Sequence, residues 1–125
     1  MNILIGLRNN VYADYLGYNL RLLGHEVKVV EDGIDIVDLL FSKDWDIVIV
    51  GILVSYYNGL EILERYQKYS DERLKEQSNF VKAKVFIGSS FYDQVSMQQA
   101  KSLGATDYFV VPQDTEELLN NILKK

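Results

Sequence analysis

No cysteine occurs among the 125 residues. Disulfides, thiolate nucleophiles and zinc–thiolate sites therefore play no part in this chain. Histidine occurs once, as His25 after Gly24 in a predicted turn, and a lone surface histidine receives no role. Proline also occurs once and no low-complexity tract is present, which argues against disorder. No apolar run approaches the roughly 18 residues that a membrane span needs. The opening Met1–Leu7 has no charged leader and enters a strand at once, so no signal peptide is expected and a cytoplasmic location is. Basic residues number 13 against 18 acidic ones. The net charge of −5 disfavours nonspecific nucleic-acid binding and reads as solubility.

What is present is ordinary for a globular domain, 48% apolar and 25% charged. The length fits one domain, residues 1–125, burying roughly two-thirds of the surface of its unfolded form. Five short Ile- and Val-rich runs predict strands at 2–7, 26–30, 46–50, 84–88 and 108–111. Helical spacing fills the gaps between them. Tyr12, Tyr15, Leu16, Leu20 and Leu23 share one helical face, and Gly24 stops that helix. Val37, Leu40 and Phe41 make a shorter stripe. Leu60, Leu63 and Tyr66 begin a third helix after Gly59. Residues 92–103 align Val95, Ala100 and Leu103 loosely, and a fourth helix is expected there. Asp114 and Glu117 have capping-box spacing ahead of Leu118, Leu119 and Ile122 in a fifth helix.

This alternation predicts an α/β fold: a doubly wound five-stranded parallel sheet, order 2-1-3-4-5, with five helices on its two faces. The run DIVIV (46–50) is apolar at four of five positions, as a doubly covered strand must be. EVKVV (26–30) carries Lys28, as an edge strand can. Ligands of such sheets sit beyond the carboxyl ends of the strands, where the winding reverses. That places Leu7, Arg8, Asn9 and Asn10 with Gly51, Ile52, Ser89 and Ser90 around one crevice, bordered by Val111 and Pro112.

DIVIVGILVSYYNGLEIL (46–63), with Asn58-Gly59-Leu60-Glu61 opening a helix, is one half of a familiar pattern. LGATDYFVVPQDTEELL (103–119), with Gly104-Ala105, an aromatic at Tyr108, Pro112 and an acidic helix start, is the other. Their order and spacing resemble the CheY-like receiver domain of bacterial response regulators, over essentially the whole chain. The resemblance implies a flavodoxin-like three-layer fold. It also implies a site. An aspartate ending strand 3 takes a phosphoryl group, and an acidic pair after strand 1 holds Mg²⁺. A lysine ending strand 5 and a hydroxyl ending strand 4 bind phosphoryl oxygens.

Carried over residue by residue, the acceptor's place is Gly51, the acidic pair's places are Leu7 and Arg8, and the lysine's is Val111. Only the hydroxyl survives, as Ser89. A shift of register does not restore the pattern, because no Asp or Glu lies between Ile47 and Asn58, and Asp46 opens the strand at the far end. Glycine has no side chain to phosphorylate. A cation would meet Arg8, and at about 4 Å with an effective dielectric near 20 one unit-charge repulsion is roughly 4 kcal/mol. The expectation is a degenerate receiver with no metal, no aspartyl phosphate and no cofactor. Its pocket is assigned to Leu7, Arg8, Asn9, Asn58, Ser89, Val111 and Pro112.

The resemblance implies protein partners on the face of helix 4, strand 5 and helix 5, where Tyr108 takes the place of the switch aromatic. Uncoupled from phosphorylation, that surface is expected to be held in one state or biased by a partner. Tyr56, Tyr57, Phe91 and Tyr92 are predicted to cluster at the crevice end of the sheet. They serve either as an interaction rim or as packing over the vacant pocket and over each other. Arg8 either stands in for the cation, donating to Asn58 or Ser89, or is solvated. The run 65–84 predicts one to two helical turns beyond the family's third helix, as a charged solvated face or as an arm for a partner or dimer.

Three functions compete. The first is a two-component-type signalling module that is not phosphorylated and acts by protein contact, alone or as the front part of a longer regulator, with homodimerisation left open. The second is a small-molecule binder using the crevice. FMN is disfavoured because LRNNVYAD (7–14) offers no Ser, Thr or Gly for a phosphate. Cobalamin is disfavoured because its histidine loop is absent. The third, an enzyme, has no P-loop, nucleophile elbow, paired strand-end carboxylates or metal cluster to support it.

Overall fold

Ile3, Leu4 and Ile5 are consecutive apolar residues, so a strand built from them needs cover on both faces. The computed structural model, which describes residues 1–54 and 56–123, supplies that cover. The elements are β1 (Asn2–Gly6), α1 (Asn10–Leu22), β2 (Glu26–Val30), α2 (Gly33–Ser42), β3 (Ile47–Gly51), α3 (Gly59–Glu76), β4 (Lys84–Ser89), α4 (Gln94–Ser102), β5 (Asp107–Val110) and α5 (Thr115–Leu123). All four strand pairings are parallel, and the order is β2-β1-β3-β4-β5, as the alternation predicts.

Strand pleating divides the core into two layers. Leu4, Val48, Val50, Val85, Ile87 and Tyr108 pack against Ile36, Leu40, Ile62, Leu63, Tyr66 and Ala100 of α2, α3 and α4. Ile3, Ile5, Leu7, Ile47, Ile49, Phe86 and Phe109 pack against α1 and α5 through Tyr12, Ala13, Leu16, Leu20, Leu118 and Ile122. Each fully buried Leu or Ile in these layers contributes about 1.5–3 kcal/mol of transfer free energy. β2 lies at the sheet edge and none of its residues is fully buried.

Polar side chains set the helix starts. Asn9, Asp32, Asn58 and Asp93 each accept a backbone N–H bond at the head of α1, α2, α3 and α4. Gly24 follows α1 at φ +92°, a conformation that favours glycine.

Two expectations need correction. Tyr15 and Leu23, assigned to the buried face of α1, are 56% and 55% exposed. Tyr12, Leu16 and Leu20 are buried as expected, and Ala13 and Gly17 join them because the contact with the sheet is rotated toward that flank of the helix. Asp114 does not build a capping box with Glu117. Its carboxylate turns back to accept the Val110 N–H at 2.9 Å, holding the end of β5. The long α3 keeps the expected charged, exposed face, with Glu64, Lys68, Asp71, Glu72, Lys75 and Glu76 outward, and is anchored to the fold along its length. Ser70 is fully buried in it, Arg73 forms an ion pair with Asp44 before β3 and lies over the Phe80 ring at 4.2 Å, and Asp71 pairs with Lys82 at 2.6 Å.

Candidate functional site

The parallel register brings Gly51 of β3 and Gly88 of β4 side by side at the carboxyl end of the sheet. The chain leaving β1 crosses above them. Leu7 is only 4% exposed, and its Cδ2 lies 3.5 Å and 3.3 Å from the points where Cβ atoms on Gly51 and Gly88 would stand. One leucine therefore covers a floor of two glycines. Around it, Arg8, Asn9, Tyr12, Ile52, Leu53, Ser89, Ser90 and Val111 enclose a crevice of about 220 Å³.

Backbone bonds lock this end of the sheet. Ile52 N–H donates to the Gly88 carbonyl at 2.8 Å, and Gly59 N–H donates to the Ile52 carbonyl at 2.9 Å. A side chain at Gly59 would run into the Gly51 carbonyl oxygen, so the start of α3 is pressed against the end of β3. Val111 N–H donates to the Ser89 carbonyl at 2.8 Å, and the Val111–Pro112 peptide is cis. The Ser89 hydroxyl is buried and accepts from Phe91 N–H at 3.3 Å.

The crevice thus gathers Leu7, Arg8, Asn9, Gly51, Ser89 and Val111 as the strand ends predict. Two assigned residues stand elsewhere. Asn58 caps α3, its Oδ1 accepting the Glu61 N–H at 2.8 Å while Glu61 reaches back to its own N–H. Pro112 borders a separate hollow with Val11, Tyr15 and Thr115. Sequence reading missed Tyr12, Leu53 and Gly88. Tyr12 was legible only as a core residue of α1, yet its hydroxyl sits 2.7 Å from Thr115 Oγ1 and joins α1 to α5 beside the crevice. Burial raises its phenol pKa above the ordinary value, against the lowering effect of that bond.

The electrostatics are those of an apolar notch with one cation at its mouth. Arg8 is exposed, and among the described residues it forms no ion pair. The solvated reading of Arg8 fits this arrangement. Two acids, Glu31 and Asp32, line a neighbouring hollow with Arg8, Asn10 and Tyr56. Asp32 is already engaged as the cap of α2, accepting from Asp35 N–H at 2.8 Å. Among the described residues no carboxylate lines the crevice itself. Among the described residues no three His, Cys, Asp or Glu side chains gather where they could hold a metal. A hard cation such as Mg²⁺ takes carboxylate and other oxygens. This donor set does not fit it.

The aromatic residues distribute differently from the expectation of a packed cluster. Tyr56, Phe91 and Tyr92 are 78%, 54% and 63% exposed, and none of the four rings lines the crevice. Tyr57 is half-buried beneath Arg65, whose guanidinium lies 4.9 Å from its ring centre. Aliphatic side chains, Leu7 above all, fill the place that the rings were expected to cover. Tyr56 holds φ at +74°, a left-handed backbone that costs a non-glycine residue free energy. Tyr108 is 7% exposed and packs inward between the sheet and its helices. It is therefore not part of the exposed surface to which the sequence assigned it. Its hydroxyl is buried without a hydrogen-bond partner among the described residues.

No protein-family model matches the chain. Solved structures do match its fold. A two-component response regulator from Clostridium difficile is similar over 98% of this chain and 92% of that one, with a TM-score of 0.82 at 16% identity. A DNA-binding response regulator of the LuxR family from Staphylococcus aureus matches over 97% and 94%, with a TM-score of 0.80 at 22% identity. The chemotaxis response regulator CheY4 of Vibrio cholerae matches over 97% and 94%, with a TM-score of 0.77 at 20% identity. With five parallel strands in the order β2-β1-β3-β4-β5 and a helix after each, the chain has the fold of the CheY-like response-regulator receiver domains.

Proposed function

We propose that this chain is a receiver-like signalling module of two-component type that takes no phosphoryl group and works by protein contact. One observation carries the reading. The acceptor position is Gly51, and the acidic pair's first position, Leu7, folds an apolar side chain over it. A phosphoryl group on this floor would have no nucleophile to hold it and no carboxylate-bound cation to neutralise it. The similar structures described above, response regulators all, support the signalling half of the proposal. The same reading makes the chain a non-enzyme, a single domain over 1–125 and a cytoplasmic protein. Among the described residues, no helix is long and apolar enough to cross a membrane.

Contact is assigned to two surfaces. One is the face of α4, β5 and α5. The other is the rim carrying Leu53, Tyr56, Phe91, Tyr92 and Val95, all more than half exposed. Tyrosine and phenylalanine suit such a rim because their rings give area at small entropic cost. A strained, exposed Tyr56 contributes nothing to the core, and strain of that kind gathers at functional positions.

The decisive experiment is incubation with acetyl phosphate and Mg²⁺ followed by intact-mass measurement. The mass is expected to stay unchanged. A hydroxylamine-labile gain of one phosphoryl group would refute the reading. The 220 Å³ crevice favours a second reading, a small ligand with an apolar body and an anionic group facing Arg8. Thermal melting against small carboxylates separates the two, because only the second predicts a stabilised protein.

A further inference from the structure

Helix α1 buries one side and leaves an apolar side outside. Tyr12, Ala13, Leu16, Gly17 and Leu20 are buried against the fold. Val11, Tyr15, Tyr18 and Leu22 are 82%, 56%, 61% and 66% exposed. Their spacing of four, three and four residues sets them on one stripe opposite the buried side. That is the seam spacing of paired helices. Single exposed apolar residues are normal, but a continuous stripe of four marks an interaction surface.

The charges beside the stripe say what covers it. Asp14 and Arg21 are seven residues apart, two turns along the same flank. Arg21 is held on that flank by a bond from Nη2 to the Val27 carbonyl at 2.9 Å, which uses one of its five donors. Two such helices are complementary to each other. In an antiparallel pair with its two-fold axis between Tyr15 and Tyr18, Val11 of one copy meets Leu22 of the second, and Tyr15 meets Tyr18. The same symmetry sets Asp14 of each copy beside Arg21 of the other, twice. A parallel pair in register would set Asp14 against Asn19 and form neither ion pair.

We propose that Val11, Tyr15, Tyr18 and Leu22 form a self-association surface, on which a second copy of this chain docks its own α1 antiparallel, with reciprocal Asp14–Arg21 pairs setting the register. This surface is separate from the crevice and does not rest on the function proposed above. Four side chains per copy lie at the small end of specific interfaces, so the dimer is weak and depends on concentration.

Sedimentation velocity over roughly a hundredfold range of concentration, reaching well above micromolar, is expected to show a monomer–dimer equilibrium for the unaltered chain. Tyr18→Glu places a charge in the seam and leaves a monomer with an unchanged circular dichroism spectrum. Asp14→Arg and Arg21→Asp each create two like-charge pairs and weaken the dimer roughly tenfold. An equimolar mixture of those two variants associates again, because every flanking pair in the mixed dimer is then opposite in sign. Arg21→Glu replaces Arg21→Asp if the shorter side chain unfolds α1. A monomer at every concentration, a dimer indifferent to Tyr18→Glu, or a mixture that fails to re-associate would overturn the proposal.

Discussion

Leu7 Cδ2 lies 3.5 Å from the point where a Cβ on Gly51 would stand, an ordinary van der Waals separation. A methyl group therefore fits at position 51 without moving its neighbours. Gly51→Ala is expected to leave the fold intact and to raise stability by about 0.5 kcal/mol, through the reduced freedom of the unfolded chain. Gly51→Asp behaves differently. Its carboxylate would enter an apolar notch whose one cation, Arg8, stands exposed at the mouth, costing roughly 2–3 kcal/mol at neutral pH, in chemical denaturation. The deficit should shrink as the pH falls through the raised folded-state pKa of this carboxyl and be gone below about pH 4, where it is protonated in both folded and unfolded states. Acetyl phosphate with Mg²⁺ is expected to leave the mass of this variant unchanged as well, because the residues lining the crevice supply no further carboxylate to hold the cation. A phosphorylated Gly51→Asp would show that the missing pair is dispensable.

Gly59 has no such latitude. A Cβ there would run into the backbone carbonyl of Gly51, which cannot swing aside as a side chain can. Gly59→Ala is expected to destabilise by roughly 2–3 kcal/mol, seen as a lowered denaturation midpoint with an unchanged slope. Asn58→Ala, which only removes the cap of α3, should cost about 1 kcal/mol.

Tyr56 sets stability against contact. Its φ of +74° suits glycine, and its ring is 78% exposed. Tyr56→Gly is expected to stabilise the fold by about 1 kcal/mol in thermal melting and to weaken capture of the partner that uses the crevice rim. Equal partner binding by the two proteins would remove Tyr56 from that surface.

The buried Tyr108 hydroxyl finds no partner among the described residues, and an unsatisfied buried donor costs free energy. Tyr108→Phe keeps the ring between the sheet and α4 and removes the orphan. Stability should be unchanged or rise by up to about 1 kcal/mol. A loss beyond that would mean the hydroxyl is hydrogen-bonded in solution.

Asp44 and Arg73 tie the far end of α3 to the entry of β3. The Arg73 bond, partly offset by desolvation, holds the Asp44 carboxyl below its usual pKa. The folded state thus binds the proton less readily than the unfolded chain. The stabilisation is present above the ordinary carboxylate range and is lost as the pH falls through it. Because Asp44 is largely exposed, the contribution is small. Asp44→Asn should lower the melting temperature slightly at neutral and alkaline pH and converge on the unaltered protein in acid, flattening the acid limb of a plot of melting temperature against pH.

Where the polypeptide pattern is periodic, little was left for the tertiary structure to decide. Consecutive Val and Ile in 46–50 demanded cover on both faces, and the five strand runs at regular intervals allowed one favoured winding. The winding in turn placed Leu7, Arg8, Gly51, Ser89 and Val111 at one crevice, because strand ends in a parallel sheet all point the same way. The identity of those residues, and with it the glycine that ends β3, is a property of the chain alone.

Other features depended on which of two competing uses a side chain found. Asn58 could border a pocket or cap a helix, and the nearby Glu61 N–H decided for the cap. Asp114 could cap α5 or hold β5, and Val110 N–H was the donor it met. Helix α1 carries apolar residues on nearly opposite sides, Leu16 and Leu20 on one, Tyr15 and Tyr18 on the other. Spacing alone cannot rank two such faces, because both satisfy the helical period. Only the position of the sheet, built from strands far apart in sequence, buried one and left the other in water. Composition and period were settled locally, along the chain. Which face is covered, which donor is nearest and whether a leucine lies over two glycines are relations between distant segments, and they exist only once the segments have packed.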